Sequence, residues 1–469
     1  HTDRHLQRKN IINNMTFQQA LSLFPSLKSL YSLMNLNTSM GRKLLLSTEF
    51  STSKAWIEQQ WEQSEECERF IATQNEQSLH RFYCLMGEIC DIGGTLSLIE
   101  NSLAADDVGL YELKVFCINV MKLKKQFATS LMPLPDLDEA IAVLDPEGLR
   151  LPSFYVYSAY SEALAAKRNE WENSKNGDDE QHTHNLYVEC LELEEQVRQI
   201  LCQKLFVHIP KLKQALSTVA KIDLSFARAE LTQALKLSRV EITETKQLSY
   251  RQMFHPVVKK LMTEKGKRYQ DIDIDAGEEV LLITGANMAG KTLILKTLAT
   301  NQLLLQFGFK AACTSGTVCL FDSVQCSIGD GQNEEEGLSS FAYEIKTLDN
   351  IIKTMRSGGR HLVLADELAR TTNPTEGRKL VEGFIGVCSE QNSLAVVTTH
   401  YSDIRSKCKK VRVKGFNHHN LTPPIDIETI SEHIDYSLVE TDSSQAPTEA
   451  LNLCRLLAVD SRWIELAEQ

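Results

Sequence analysis

The sequence predicts two fold classes in series. An all-α half over residues 1–250 is followed by an α/β half over 251–445 built on a parallel-rich sheet, and a helical tail over 446–469 closes the chain. Three observations carry this. From about Phe17 to Tyr250 there are long stretches without Pro or Gly, with apolar residues at three- and four-residue spacing. Beyond Phe254, short β-branched or leucine-rich runs at 280–284, 362–365 and 394–399 alternate with helical patterns, the texture of a parallel sheet covered on both faces. The first of these runs opens into Gly285-Ala286-Asn287-Met288-Ala289-Gly290-Lys291-Thr292, a glycine-flanked loop of phosphate-binding form.

In the helical half, Leu186, Cys190, Leu193, Val197 and Ile200 form a narrow apolar stripe between charged neighbours, as a long helix packed on one partner requires. Before it, the polar run Asn173 to Glu180 lies between two helical patterns. It reads as the acidic tip of a helical hairpin or as an ordinary solvated loop between bundle helices. In the tail, Ala450, Leu453, Leu456, Leu457 and Ile464 give an amphipathic helix.

At 469 residues the chain is too long for one simple core. Its 42% hydrophobic and 24% charged residues exclude wholesale disorder. No apolar stretch nears the roughly 20 residues of a membrane span, and the start has no signal-peptide segment, so no membrane partner and a cytoplasmic location are expected. Twelve cysteines without a Cys-x-x-Cys pair suggest buried thiols rather than zinc or disulfides. A net charge of -12 argues against a generic polyanion binder, though not against a local basic groove.

The loop after the first strand predicts binding of ATP/ADP with Mg²⁺. Backbone N–H groups of residues 285–290 converge on the phosphates at a helix N-terminus, Lys291 reaches the β/γ oxygens, and Thr292 ligates the metal. The apolar run His361 to Ala365 leads into Asp366-Glu367, the form of a Walker B strand: Asp366 for Mg²⁺, Glu367 to polarise the attacking water. By itself such a run is often only a strand end. The run Ala395 to Thr399 delivers His400 to the carboxyl edge of the sheet, either to sense a γ-phosphate or in a structural role. Gly337-Leu338-Ser339-Ser340-Phe341 precedes a helical pattern; its hydroxyls could cap that helix or meet a phosphate. Tyr269 is a candidate adenine-stacking residue or an ordinary core or surface tyrosine.

These motifs, in this order, resemble the MutS family of mismatch-repair ATPases. His255-Pro256-Val257-Val258 resembles the opening of its ATPase domain and Thr284 to Thr292 its P-loop, with the Asn-Met pair. Ile328-Gly329 and Gly337 to Phe341 resemble its trans-acting serine loop, Asp366 to Thr372 its Walker B region, and Thr399-His400-Tyr401 its Thr-His-Tyr motif. More weakly, Ser39 to Leu45, Leu144 to Gly148, the helix start at Tyr160-Ser161 and Ile222 to Ala229 resemble its core and lever region. The resemblance implies an ABC-type ATPase domain and a homodimer paired through these domains and the tail. Ser339 would act on ATP held by the neighbouring chain, and Asn287 would help position the γ-phosphate.

Departures bear on what carries over. Ala286 replaces a usual proline and Ala289 a usual glycine, and Thr371, Asn373, Pro374 and Glu376 alter the loop that couples the two sites in the family. The core-like segment begins near residue 17, so mismatch-reading modules are expected to be missing. Asp178, Asp179 and Glu180 at the lever tip would repel duplex DNA where a clamp should grip it. Two partner classes therefore stand: DNA, by family default, or a protein. The loop Asp366 to Gly377 resembles a clamp-poor MutS-related branch linked to reactivation of cobalamin-dependent lysine 5,6-aminomutase.

Overall fold

The computed structural model describes residues 15–150, 156, 158–176, 179–285, 290–328, 340–370, 372–416, 430–441 and 449–467. They form two compact units. One comprises Asn35–Leu46 and Glu62–Ala229; the other gathers the chain up to Met34, Ser47–Trp61 and Glu230–Gln469. The division therefore differs from a single cut at residue 250.

The first unit is helical. Its core surrounds Phe82, Phe116, Phe127 and Phe226, with the Phe82 and Phe226 rings 4.6 Å apart. The helix Ser39–Ser47 is fixed by a buried carboxylate on the helix Ile209–Leu235. Asp223 accepts from the Asn37 and Thr38 backbone N–H groups at 3.0 and 2.8 Å and from the Thr38 hydroxyl at 2.7 Å, while Thr38 Oγ1 caps the helix by accepting from Gly41 N at 2.9 Å. Gly41 is required by this closeness, since a Cβ there would meet Asp223 Oδ2. Two weakly resembling segments are thus joined by one carboxylate.

The helices Glu162–Ser174 and Glu180–Phe206 pack as the expected hairpin, tied by Arg168 to Glu194 at 2.6 Å, Lys167 to Glu189 at 2.8 Å and the Trp171 and Tyr187 rings at 5.3 Å. Residues 177 and 178 at its tip lie outside the described residues. The apolar stripe holds only in part. Leu186, Cys190 and Val197 are buried, but Ile200 is 49% exposed and Leu201 takes its place. A straight helix at 3.6 residues per turn drifts away from a 3.5-residue stripe.

The reading of helix to Tyr250 is corrected. The helix ends at Leu235, and the β-branched stretch after it forms strands β1 (Glu241–Thr243) and β2 (Leu248–Met253). With β3 (Ile272–Ala276) and β5 (Ser315–Cys319) they make a mixed sheet of order β1-β5-β2-β3. The second sheet carries the expected strands, β4 (Leu281–Thr284), β7 (His361–Ala365) and β8 (Leu394–Thr399), each buried along its length. Adding β6 (Ser323–Ser327), β9 (Lys409–Phe416) and β10 (Ile434–Glu440) gives the order β10-β9-β4-β8-β7-β6, parallel except for the β9–β10 pair. Parallel strands covered on both faces need continuous apolar runs, which is why β4, β7 and β8 are legible. The tail contains helices Glu449–Leu456 and Ser461–Ala467, with Leu453, Leu456 and Leu457 packed against Phe416 and Ile434. Among the described residues, no helix is long and apolar enough to cross a membrane.

Candidate functional site

The register pairs Thr284 of β4 with Thr399 of β8 and Ala365 of β7 with Val397 of β8, so the three strands end at one edge. Gly285, Asp366 and His400, each the residue after one of these strands, are thereby gathered there. Gly290 caps the helix Lys291–Gln306 in the left-handed region at φ 71°. A Cβ at Gly290 would also lie 3.2 Å from the Tyr436 ring, so backbone and neighbour both require glycine.

Lys291 is only 2% exposed. Its Nζ donates to Gly285 O at 2.5 Å and lies 3.4 Å from Glu367 Oε1. The other Glu367 oxygen accepts from Arg370 at 3.2 Å, so the carboxylate sits between two cations. Asp366 is held by two hydroxyls: Thr292 donates to Oδ2 at 2.6 Å and Thr398 to Oδ1 at 2.7 Å. Thr398 Oγ1 also accepts from Glu367 N at 2.8 Å, so one hydroxyl orients both acids. The 2.6 Å between Thr292 Oγ1 and Asp366 Oδ2 is near the roughly 3 Å edge of an octahedron with ~2.1 Å metal–oxygen bonds. This pair of hard oxygens therefore fits Mg²⁺, and the buried Lys291 beside a helix N-terminus fits a phosphate chain.

His400 faces this cluster. Burial pushes its imidazole below the usual histidine range; the Glu367 charge opposes that, while Lys291 and Arg370 add to it. It is thus neutral near pH 7, and its buried Nδ1 has no hydrogen-bond partner among the described residues.

A cavity of about 160 Å³ adjoins Gly290, lined by Tyr269, Tyr436, Met253, Ile272, Leu293 and Ile294 among others. It has the size of a heterocyclic base rather than a whole nucleotide. Tyr269 is fixed in its wall because its hydroxyl accepts from His255 N at 2.8 Å. Tyr436 enters from β10 at a bulge, where Gln270 accepts from Tyr436 N at 3.1 Å and donates to Asp435 at 2.9 Å and Ser437 at 3.0 Å.

His255 caps the helix Pro256–Glu264 through Nδ1, which accepts from Val258 N. Burial, with the Lys296 charge adding, lowers its pKa to about 4. An unfolded histidine titrates near 6.5, so the unfolded chain takes up the proton first. The His255 contribution is complete above about pH 6.5 and is lost as pH falls toward 4. Its loss from pH 7.5 to 5 is about 2 kcal/mol. In urea unfolding at those two pH values, His255→Asn, which can still cap, is expected to lose less stability on acidification than the unaltered chain. An equal loss in both would contradict the assignment.

Of the residues expected from sequence, the structure brings together Gly285, Gly290, Lys291, Thr292, Asp366, Glu367 and His400, and sets Tyr269 in the adjoining cavity. Ala286, Asn287, Met288, Ala289 and Ser339 lie outside the described residues, as does Thr371. Sequence pattern alone assigns no role to Thr398, Arg370 or Tyr436. A hydroxyl at the end of β8 was a usable signal for Thr398; nothing local marks Tyr436.

Residues 281–445 match the family model MutS domain V. Among curated proteins, the chain is 31% identical over 191 residues to Endonuclease MutS2 of Staphylococcus carnosus, covering 40% of this chain and 24% of that protein. It is 32% identical over 216 residues to the protein of that name from Carboxydothermus hydrogenoformans, covering 45% and 27%. With the Shouchella clausii protein it shares 29% over 274 residues, covering 57% and 31%. The matches thus span about a quarter to a third of the length of these relatives.

Proposed function

We propose that this chain, whose residues 281–445 match MutS domain V, is a MutS-type ATPase that binds ATP with Mg²⁺ at the carboxyl edge of the six-stranded sheet and hydrolyses it. One observation carries this reading: Asp366 and Glu367 are fixed by a shared hydroxyl within reach of Thr292 and Lys291. The base of the nucleotide fills the cavity between Tyr269 and Tyr436 and stacks on their rings. Lys291 turns its ammonium to the β/γ oxygens. Thr292 and Asp366 would hold Mg²⁺, which when bound would supply positive charge to the same phosphates. Glu367 accepts a proton from water as the water oxygen bonds to the γ-phosphorus and the bond from that phosphorus to the bridging oxygen breaks. ADP and inorganic phosphate are the products. Neutral His400 offers a ring nitrogen to the γ-phosphoryl group.

The wider reading is a dimeric ATP-driven switch, paired through ATPase domains and tail, with Ser339 and Asn287 completing the γ-phosphate contacts. DNA is the partner proposed, because the matched relatives bear the name Endonuclease MutS2. The aminomutase alternative rests on the loop Asp366 to Gly377 and on the expected lack of mismatch-reading and clamp modules, and the matched relatives give it no support. The partner is tested by binding to homoduplex, mismatched and branched DNA at two salt concentrations. Binding that weakens steeply with salt is expected; no binding to any of them, with ATP present, would refute a DNA partner.

A further inference from the structure

Immediately after Asp366 the backbone takes an unusual path. Glu367 and Ala369, neither of them glycine, lie in the left-handed region at φ 44° and 61°. Such residues persist where the surroundings over-determine them. Glu367 is held on its N–H by the Thr398 hydroxyl, and Ala369 is held by side chains from two other segments of the fold. The Ala369 N–H donates to Glu344 Oε1 at 2.6 Å, and its carbonyl accepts from the Tyr401 hydroxyl at 2.5 Å. Glu344 is on the helix Ser340–Arg356, and Tyr401 follows His400 beyond β8. Tyr401 is buried and its backbone N–H donates to Thr399 Oγ1 at 3.0 Å. The helix Pro374–Ser389 leaves space for the phenol only because residue 377 is glycine: a Cβ there would collide with the Tyr401 oxygen.

We infer that Glu344 and Tyr401 are positioning residues for Glu367, clamping the two faces of Ala369 so that the strained turn holds the carboxylate at the water. The inference rests on the hydrolase reading above. Both side chains bond the backbone of Ala369 and are not among the groups assigned to ATP, Mg²⁺ or the attacking water. Without the clamp, the left-handed pair relaxes toward the broad allowed regions and swings Glu367 away from its hydrogen-bond reach of the water, while the phosphate and base contacts remain.

The test is steady-state phosphate release together with fluorescent-ATP affinity for Glu344→Ala, Glu344→Gln and Tyr401→Phe, with thermal melts. Glu344→Ala is expected to lower kcat about 30-fold with KM and affinity within about twofold, because only a geometry used in the transition state is lost. Glu344→Gln keeps an acceptor oxygen and is expected to recover to within about fivefold of the unaltered chain, and Tyr401→Phe to lose about tenfold. Unchanged kcat in Glu344→Ala, a KM rising in step with lost kcat, or equal slowness of the Gln and Ala variants would overturn the inference. If Glu344→Ala fails to fold, Tyr401→Phe decides: normal kcat there overturns the clamp. An unaltered chain that releases no phosphate refutes the hydrolase reading itself, an outcome visible before any variant is assayed.

Discussion

Glu367→Gln is expected to bind ATP as tightly as the unaltered chain and to release phosphate at least about 100-fold more slowly, the usual loss when a general base is removed. The substitution keeps size and backbone. Glu367 N still donates to Thr398, and the amide oxygen can still accept from Arg370. What disappears is a carboxylate able to take the proton from water. Lys291 also loses its 3.4 Å anionic neighbour, which frees its charge for the phosphates and works against any loss of affinity. Equal turnover in the two proteins would remove Glu367 from the mechanism.

Lys291→Ala is expected to weaken ATP binding by at least about 3 kcal/mol, roughly a hundredfold in Kd. The ammonium is only 2% exposed, so its charge acts at a site where water screens little. Its removal also leaves Gly285 O and one oxygen of Glu367 without the bonds they make in the structure, adding an unneutralised acid beside the phosphate chain. Titration of a fluorescent ATP analogue measures the effect; affinity within about threefold of normal would show that the phosphates lie elsewhere.

The parts of the site legible in the sequence were those carried by contiguous residues. The loop ending at Gly290-Lys291-Thr292, the Asp366-Glu367 pair and His400 each follow a buried apolar run, and the strand pattern announces them. What was not legible is pairing at a distance. Thr292 meets Asp366 across 74 positions, and Gln270 fixes the Tyr436 backbone across 166. The polar edge strand β6 was hidden because its side chains bond one another: Ser323 Oγ lies 2.7 Å from His361 Nδ1 and accepts from Gln325 at 2.8 Å. The strands β1 and β2 were masked by the long helix before them, although Val240, Ile242, Thr243 and Thr245 carried a β-branched signal. Helical periodicity found the hairpin but overran by one position at Ile200, where drift of the helix sets the buried face.

The central claim is that Lys291, Thr292, Asp366 and Glu367 form one magnesium-dependent hydrolytic centre. Its most direct test is phosphate release from ATP by the purified chain, with Mg²⁺ and again with the metal chelated. Release that requires the metal and vanishes in Glu367→Gln is the predicted result; release that survives both chelation and the substitution, or none under any condition, would contradict it.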